Sequence, residues 1–243
     1  MPDAIFAEPR LARLYDLVDD DRSDLDAYLA MAAEFGARRV LDIGCGTGTL
    51  ACLLAARGLE VTGADPARAS LDVARGKQQA GQVRWLHAPA ASLPTTLEAD
   101  LAFMTGNVAQ VFVTDQDWAA ALTAARNALR PGGRLVFETR DPARQAWRQW
   151  TRDQSYRRIE IEGTGPVEVW TQVTGANADR VSFQTTFNFK NDGMVLTSES
   201  TLRFRDRDQL TASLTAAGLL VDEVRDAPDR PGLEFVFISR RPY

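Results

Sequence analysis

The sequence predicts an α/β fold in which a doubly wound, mostly parallel sheet of seven strands carries an antiparallel β insert. Short apolar runs alternate with helical patterns from position 38 to position 140, an alternation typical of parallel strands joined by helices. A cluster of glycines separates the first apolar run from the first of these helices. From Tyr156 to Arg205, Val, Thr and Phe alternate with polar residues, which is typical of antiparallel strands with one buried face.

The elements of the parallel part follow in a regular order. The run from Arg38 to Ile43 is predicted to be the first strand, because it is short and apolar and ends at the glycine cluster Gly44 to Gly48. Gly58 closes the helix that follows, Thr49 to Arg57. The next elements are a strand at Leu59 to Ala64, a helix at Pro66 to Arg75 with proline in its first turn, strands at Val83 to His87 and Asp100 to Met104, a helix at Asp115 to Leu129 stopped by Pro131-Gly132-Gly133, and a strand at Arg134 to Glu138.

The antiparallel insert is predicted at residues 156–205, inside a single domain of residues 1–243. Along Val181 to Phe189, apolar residues and Thr hold the odd positions and polar residues the even ones, which predicts one buried and one wet face. Turn signals stand at Gly175-Ala176-Asn177 and Asn191-Asp192-Gly193, and a helix at Asp206 to Ala217 and strands at Leu219 to Val224 and Glu234 to Ser239 complete the fold.

Composition excludes several classes of function. The chain has 243 residues, with 28 basic and 33 acidic side chains and a formal net charge of −5, which opposes binding to nucleic acid. No apolar run approaches the roughly 20 residues of a membrane span. The two cysteines and one histidine form no zinc spacing or disulfide framework, so we expect no metal and a reducing, cytoplasmic location. The acidic run Asp19 to Asp21 is interpreted as a solvated helix end.

The glycine cluster marks the expected ligand site, since ligands of doubly wound sheets bind beyond the carboxyl ends of the strands. The spacing is Gly-x-Gly-x-Gly, and Thr49 stands where a dinucleotide fingerprint requires glycine. Asp65 ends the second strand, where its carboxylate can accept hydrogen bonds from both ribose hydroxyls or cap the next helix. The loop is either a nucleoside site or a tight turn alone, and the spacing favours the nucleoside site.

These motifs together resemble the class I S-adenosylmethionine-dependent methyltransferases. The resemblance rests on Val40 to Gly48, Gly63-Ala64-Asp65-Pro66, Leu93-Pro94, Met104-Thr105-Gly106-Asn107 and Leu129 to Leu135. It implies a Rossmann-like sheet, S-adenosylmethionine as cofactor, and methyl transfer to a nitrogen or oxygen of a small-molecule acceptor. The insert after the fifth strand resembles in layout that of small-molecule methyltransferases.

The resemblance also implies which residues form the site. Proline at position 89 stands where the family often has an acidic residue, so adenine recognition is expected from the backbone of Ala90 or Ala91. Gln110 is expected to face the acceptor. The residues expected to bind the cofactor are Tyr15, Asp42, Gly44, Cys45, Gly46, Gly48, Asp65, Pro66, Ala90, Ala91, Met104 and Asn107.

Methyl transfer is an in-line displacement that positioning alone can accelerate, so no dedicated catalytic residue is required. If a base assists, the candidates are His87, Glu138 and Tyr15. His87 has a structural or adenine-flanking role as its alternative. Tyr15 either closes over the sulfonium or is an ordinary core residue, and Cys45 is interpreted as a packed residue.

Two further questions stay open. The polar face of the insert, with Trp170, Gln184, Thr186 and Asn188, is expected to be an acceptor-pocket wall or a homodimer contact, against the alternative of a solvated face. The alternatives to a methyltransferase are a catalytically silent S-adenosylmethionine-binding protein and a nucleotide-dependent oxidoreductase.

Overall fold

The computed structural model describes residues 1–18 and 21–243. Asp19 and Asp20 of the acidic run lie outside the described residues. The prediction that this run is a solvated helix end therefore also lies outside them. The strands are β1 (Arg39–Ile43), β2 (Glu60–Asp65), β3 (Val83–His87), β4 (Ala99–Met104), β5 (Leu129–Arg140), β6 (Arg157–Ile161), β7 (Gly165–Asn177), β8 (Arg180–Phe189), β9 (Val195–Arg203), β10 (Leu220–Asp226) and β11 (Glu234–Arg240). The α-helices are α1 (Ala4–Ala7), α2 (Pro9–Val18), α3 (Asp26–Glu34), α4 (Thr49–Ala55), α5 (Arg68–Arg75), α6 (Asp115–Ala128), α7 (Arg152–Ser155) and α8 (Arg207–Ala216). Among the described residues, none of these helices combines the length and the apolar character that a membrane crossing requires.

Seven strands form the main sheet in the order β10-β11-β5-β4-β1-β2-β3. β1 pairs in parallel with β2 and with β4, and the pairs β2 with β3 and β4 with β5 are also parallel. β11 runs antiparallel to both of its neighbours, β5 and β10. The predicted fold class is therefore confirmed. The strand order reverses between β1 and β4, so a crevice opens where these two strands end.

Helices cover both faces of the main sheet. Successive side chains of a strand point to opposite faces, so each strand contributes side chains to both helical layers. In β4, Ala102 and Met104 pack in one core with α6 and α8, whereas Leu101 and Phe103 pack in another with α3 and α4. All four side chains are fully buried. Complete burial of a large apolar side chain contributes about 1.5–3 kcal/mol, so one strand secures both helical layers.

Two predicted breaks between elements are wrong. The helix α6 ends at Ala128 and the chain enters β5 at once, so Pro131 to Gly133 lie inside a strand and do not stop the helix. The pairing of β4 with β5 shifts register beside this segment, between Ala99 and Leu101. The turn expected at Gly175-Ala176-Asn177 is also displaced, because β7 continues through Asn177 before β8 begins.

The insert is a separate four-stranded antiparallel sheet in the order β6-β7-β8-β9. One of its faces packs on the N-terminal helices, where Phe187 and Phe189 of β8 meet Leu11 and Leu14 of α2. The buried face predicted for β8 is therefore present. The opposite face is less wet than expected, because Thr186 is only 6% exposed.

Candidate active site

The loop between β1 and α4 requires glycine at three positions. Gly44, Gly46 and Gly48 have φ angles of 71°, 52° and 77°, in the left-handed region that favours glycine. A Cβ on Gly44 would lie 2.7 Å from a Val108 methyl, and one on Gly48 would lie 2.4 Å from the Trp85 ring. A Cβ on Gly46 would meet nothing within 4 Å. The loop is therefore packed tightly at its two ends and open at its middle.

Asp65 joins this loop to the helix after β2. Its Oδ2 accepts the Gly46 N–H at 2.9 Å, and its Oδ1 accepts the Ala67 N–H at 2.7 Å. The second contact holds the exposed Pro66 outside α5, which begins at Arg68 and not at Pro66 as predicted. Burial raises the pKa of Asp65, and the two amide hydrogen bonds oppose this rise. Asp65 is not the N-cap of α5, because that position is Ala67 and receives no side-chain cap. Each carboxylate oxygen keeps further acceptor capacity, so these two contacts are compatible with ribose binding.

A second carboxylate, Asp42, lies buried in β1 just before the loop. Its side-chain Oδ1 has no hydrogen-bond partner among the described residues. Burial and then the charge of Asp65 raise the pKa of Asp42 to about 7. An orphaned oxygen at this depth fits a site that a ligand completes. Cys45 is half-buried, and burial raises the pKa of its thiol well above the ordinary value, so its contacts suit a packed, unreactive residue.

The end of β3 carries the predicted adenine-side residues. His87 is exposed, and its Nε2 lies 3.0 Å from the Pro66 carbonyl oxygen. A carbonyl only accepts hydrogen bonds, so this ring nitrogen is the donor, and the contact gives His87 a structural role at the end of β3. Ala90 is buried and Ala91 is exposed at the start of the following 3₁₀ turn, Ala90–Ser92.

Glu138 in β5 anchors the turn that follows β4. One of its oxygens accepts a hydrogen bond from the Tyr28 hydroxyl, and the other accepts the N–H groups of Gly106 at 2.5 Å and Asn107 at 3.2 Å. Burial raises the pKa of Glu138. Because both oxygens are engaged, the contacts favour an anchoring role for Glu138 over a base. Met104, whose side chain is fully buried in the core, has only its backbone to offer to a cofactor.

Four polar side chains, Asn107, Gln110, Arg140 and Glu234, form a closed cluster next to this turn, which we call the polar ring. The Asn107 Nδ2 donates to Glu234 Oε2 at 3.3 Å, and the Arg140 Nη1 donates to Gln110 Oε1 at 2.9 Å. The Arg140 Nε lies 3.6 Å from Glu234 Oε1, so the ring closes through an ion pair. The Asn107 Oδ1 and the Gln110 Nε2 are buried and have no hydrogen-bond partner among the described residues. Sequence analysis found the two amides but missed the charged pair.

The N-terminal helix α2 is tied to the glycine loop by Asp16. The Asp16 carboxylate accepts the Thr47 hydroxyl at 2.7 Å and lies 2.7 Å from the Lys77 ammonium. Lys77 in turn donates to the Thr49 hydroxyl at 2.6 Å. We call these four side chains the N-terminal latch. Sequence analysis missed it, because its members come from three separate segments and match no local motif.

Tyr15 precedes Asp16 on the same helix and is half-buried. Its ring centroid lies 5.4 Å from that of Phe6, and its hydroxyl is within electrostatic range of Arg22 and Arg140. The residue thus lies next to Asp16 of the N-terminal latch. This position supports the alternative in which Tyr15 closes over the site.

The structure does not bring Trp170 together with Gln110. Val169 and Phe187 of the insert pack on the N-terminal helices, and Trp170, the next residue along β7, points to the opposite face of the sheet. There the Arg152 guanidinium lies 4.4 Å from the Trp170 ring centroid. The expectation that both residues line one acceptor pocket is corrected by this separation.

Comparisons with known proteins agree with the geometry. The methyltransferase-domain family matches residues 40–133. A ubiquinone biosynthesis O-methyltransferase of Alkalilimnicola ehrlichii is 33% identical over 118 residues, 42% of this chain and 41% of the relative. A cypemycin N-terminal methyltransferase of a Streptomyces species is 30% identical over 132 residues, 53% of this chain and 54% of the relative. The chain therefore spans about half the length of these curated relatives.

The likeness in fold extends over nearly the whole chain. An X-ray structure of a sugar N-methyltransferase from Streptoalloteichus matches with a TM-score of 0.75 and 20% identity, covering 94% of this chain and 93% of that one. The family match covers the glycine loop, Asp65 and the turn after β4, which are the parts that carry the site. Residues 40–133 are thus similar to the methyltransferase-domain family, and the fold over nearly the whole chain is that of the sugar N-methyltransferase.

Proposed function

We propose that the protein transfers the methyl group of S-adenosylmethionine to a nitrogen or oxygen atom of a small-molecule acceptor. One observation carries the proposal: the open glycine loop with Asp65 lies directly against the turn that bears the polar ring. The contact is close, since a Cβ on Gly44 would clash with Val108, the residue after Asn107. A nucleoside site and a polar acceptor site are therefore adjacent.

The residues present fit the cofactor. Asp65 retains lone pairs for the ribose hydroxyls, and the open side of Gly46 admits a ligand against the backbone. We propose that Asp42, which lies in β1 just before the glycine loop, supports this loop. The full proposed set is Tyr15, Asp42, Gly44, Cys45, Gly46, Gly48, Asp65, Pro66, Ala90, Ala91, and, through their backbones, Met104 and Asn107. When bound, the cofactor supplies a methyl group activated by its sulfonium.

The chain's own contribution is alignment of the acceptor, with Gln110 facing it. Holding two reactants in line can contribute several kcal/mol, about 7–11 in the best intramolecular cases. Of the candidate bases, Glu138 accepts three hydrogen bonds and His87 donates to a backbone carbonyl. These contacts support a mechanism in which positioning dominates.

The names of the relatives support a small-molecule acceptor and both acceptor atoms. One relative is an O-methyltransferase of ubiquinone biosynthesis, and a fold neighbour is a sugar N-methyltransferase. Neither comparison favours a silent binding protein or an oxidoreductase.

The remaining expectations belong to the same proposal. We propose that the acceptor is not a nucleic acid, since the net charge is −5. We also propose a cytoplasmic location, since Cys45 and Cys52 are both free thiols. The insert at residues 156–205 is proposed to cover the acceptor side through its Phe187 face. Its opposite face, with Trp170, is proposed as a homodimer contact.

The proposal is tested by turnover. The purified protein is incubated with S-adenosylmethionine and a panel of small amines, alcohols and phenols, and S-adenosylhomocysteine is quantified. We expect formation that depends on one class of acceptor and that Asp65→Ala reduces. Cofactor binding without acceptor-dependent product across the panel would favour the silent binding protein.

A further inference from the structure

We propose that Asn107 Oδ1 and Gln110 Nε2 together bind one neutral hydroxyl group of the acceptor. The inference rests on the proposed function and specifies the substrate class of that site. Both atoms are buried and have no hydrogen-bond partner among the described residues, and the residues are 5% and 1% exposed. Buried polar atoms of this kind call for a partner, which here is the ligand.

The orientation of the two amides is chemically determined. A carboxylate only accepts hydrogen bonds, so the Asn107 atom that faces Glu234 is the NH₂ group and the oxygen is left for the ligand. A guanidinium only donates, so the Gln110 atom that faces Arg140 is the oxygen and the NH₂ group is left. The site therefore offers one acceptor and one donor, and the charged pair prevents either amide from exchanging these roles.

The two amides belong to one rigid unit. They stand three positions apart in the turn after β4, and the Gln110 N–H donates to the Asn107 carbonyl at 2.9 Å. Asn107 caps the 3₁₀ turn Val108–Val111 that contains Gln110. The Arg140–Glu234 pair connects both side chains from the neighbouring strands β5 and β11, where these two residues stand directly opposite each other. Both amides are therefore anchored to the same turn and to the same ion pair.

The charges of the polar ring favour a neutral group. Glu234 pairs with Arg140, and Arg230, which donates to Glu234 at 2.8 Å, also lies 3.4 Å from the Asp229 carboxylate, so each of these two cations has an anionic partner. A hydroxyl donates to the Asn107 oxygen and accepts from the Gln110 NH₂. A carboxylate cannot donate and an ammonium cannot accept, so each leaves one buried amide atom unpaired.

The neighbouring side chains favour a ring-bearing alcohol. The Arg140 guanidinium lies 5.5 Å from the centre of the Trp150 ring. Trp150 in turn packs on Phe183 with ring centres 4.9 Å apart. This aromatic group suits the flat or apolar body of an alcohol, and benzyl alcohol is a minimal probe with both features.

The test uses the full chain saturated with S-adenosylhomocysteine and three probes of one shape: benzyl alcohol, benzoate and benzylammonium. Binding is followed by NMR of the ¹⁵N-labelled side-chain amides of Asn107 and Gln110, assigned with Gln110→Leu. We expect benzyl alcohol to shift both amide signals and to bind at least about tenfold more tightly than either ion, the loss that one unpaired buried group of about 1.4 kcal/mol produces.

Two variants sharpen the test. Gln110→Glu replaces the donor with an acceptor, so it should abolish the preference for the alcohol and improve the relative binding of benzylammonium. The exposed Gln78→Leu serves as the matched control and should behave as the wild type. The proposal is overturned if the three probes bind equally or if none of them binds. It is also overturned if Gln110→Glu keeps the preference for benzyl alcohol. Failure of S-adenosylhomocysteine to bind would instead contradict the proposed function.

Discussion

Arg140 and Glu234 stand directly opposite each other on the antiparallel strands β5 and β11, with the Arg140 Nε 3.6 Å from Glu234 Oε1. Ninety-four positions of sequence separate them, yet each fixes one amide of the turn after β4. The pair thus connects the last strand of the fold to the acceptor side of the site. Because Arg140 and Glu234 each have defined partners, the effect of substituting either residue can be predicted.

Removal of the Arg140 charge should destabilise the fold. Arg140→Met leaves Glu234 buried with Arg230 as its remaining cation, and we expect a loss of about 1–3 kcal/mol in the free energy of unfolding, as for a buried charge deprived of a partner. Urea denaturation measures the loss. Arg84→Met, at an exposed position of β3, is the control. Equal stability of both variants would mean that the ion pair contributes nothing.

Removal of the Asp65 carboxylate should weaken cofactor binding. Asp65→Ala loses charge-assisted hydrogen bonds of about 1–3 kcal/mol, equivalent to roughly tenfold to a hundredfold in affinity for S-adenosylhomocysteine. The melting temperature should fall as well, because Asp65 also accepts the Gly46 and Ala67 amides. Calorimetry and thermal unfolding separate the two effects. A lower melting temperature with an unchanged dissociation constant would reduce Asp65 to a structural cap.

Asp42 should make the fold more stable in mild acid. Its pKa rises from 3.8 to about 7 on folding, so between these values the folded protein holds a proton that the unfolded chain has released. The free energy of unfolding therefore decreases as pH rises through this window, by at most about 4 kcal/mol. Urea denaturation across the window, on the wild type and on Asp42→Asn, measures this dependence.

The Asp42→Asn variant should lose this part of the pH dependence, whereas the exposed Asp208→Asn should keep it. Identical slopes for the wild type and Asp42→Asn would contradict the buried, proton-holding state of Asp42.

Opening the N-terminal latch should speed release of the cofactor. Asp16→Ala removes the contacts to Thr47 and Lys77, and partly exposed ion pairs of this kind contribute about 0.2–1 kcal/mol. We expect a dissociation rate for S-adenosylhomocysteine several-fold above that of the wild type in stopped-flow fluorescence. Asp72→Ala, which removes an exposed ion pair to Arg75 on α5, should leave the rate unchanged. Equal rates for both variants would contradict a role of the latch in retention.

Local sequence determines the nucleoside half of the site. The glycines of the loop and Asp65 lie within a short stretch, and the φ angles and close approaches that require glycine arise between adjacent elements. The polar ring depends on contacts between residues that are far apart in the sequence. Asn107 and Gln110 are visible as a turn after a strand, but the orientation of their amides depends on Arg140 and Glu234, which meet only when β11 pairs with β5.

The wrong expectations have similar causes. Pro131 and Gly132 are helix-stopping residues by propensity, but the strand begins before them because Leu129 already pairs with Ala99 of β4. The residues that share the polar face of the insert follow from the alternation, whereas the assignment of both Trp170 and Gln110 to the acceptor site does not follow from it. Periodicity tells which residues share a face of a sheet, and the packing of α2 decides which face meets the site.

The most direct test of the proposed cofactor, on which the account rests, is calorimetry of the wild-type protein with S-adenosylhomocysteine and, separately, with NAD. The open Gly46, the acceptor capacity of Asp65 and the absence of glycine at position 49 predict saturable binding of S-adenosylhomocysteine with one site per chain and no heat of binding with NAD. Binding of NAD with no binding of S-adenosylhomocysteine would contradict it.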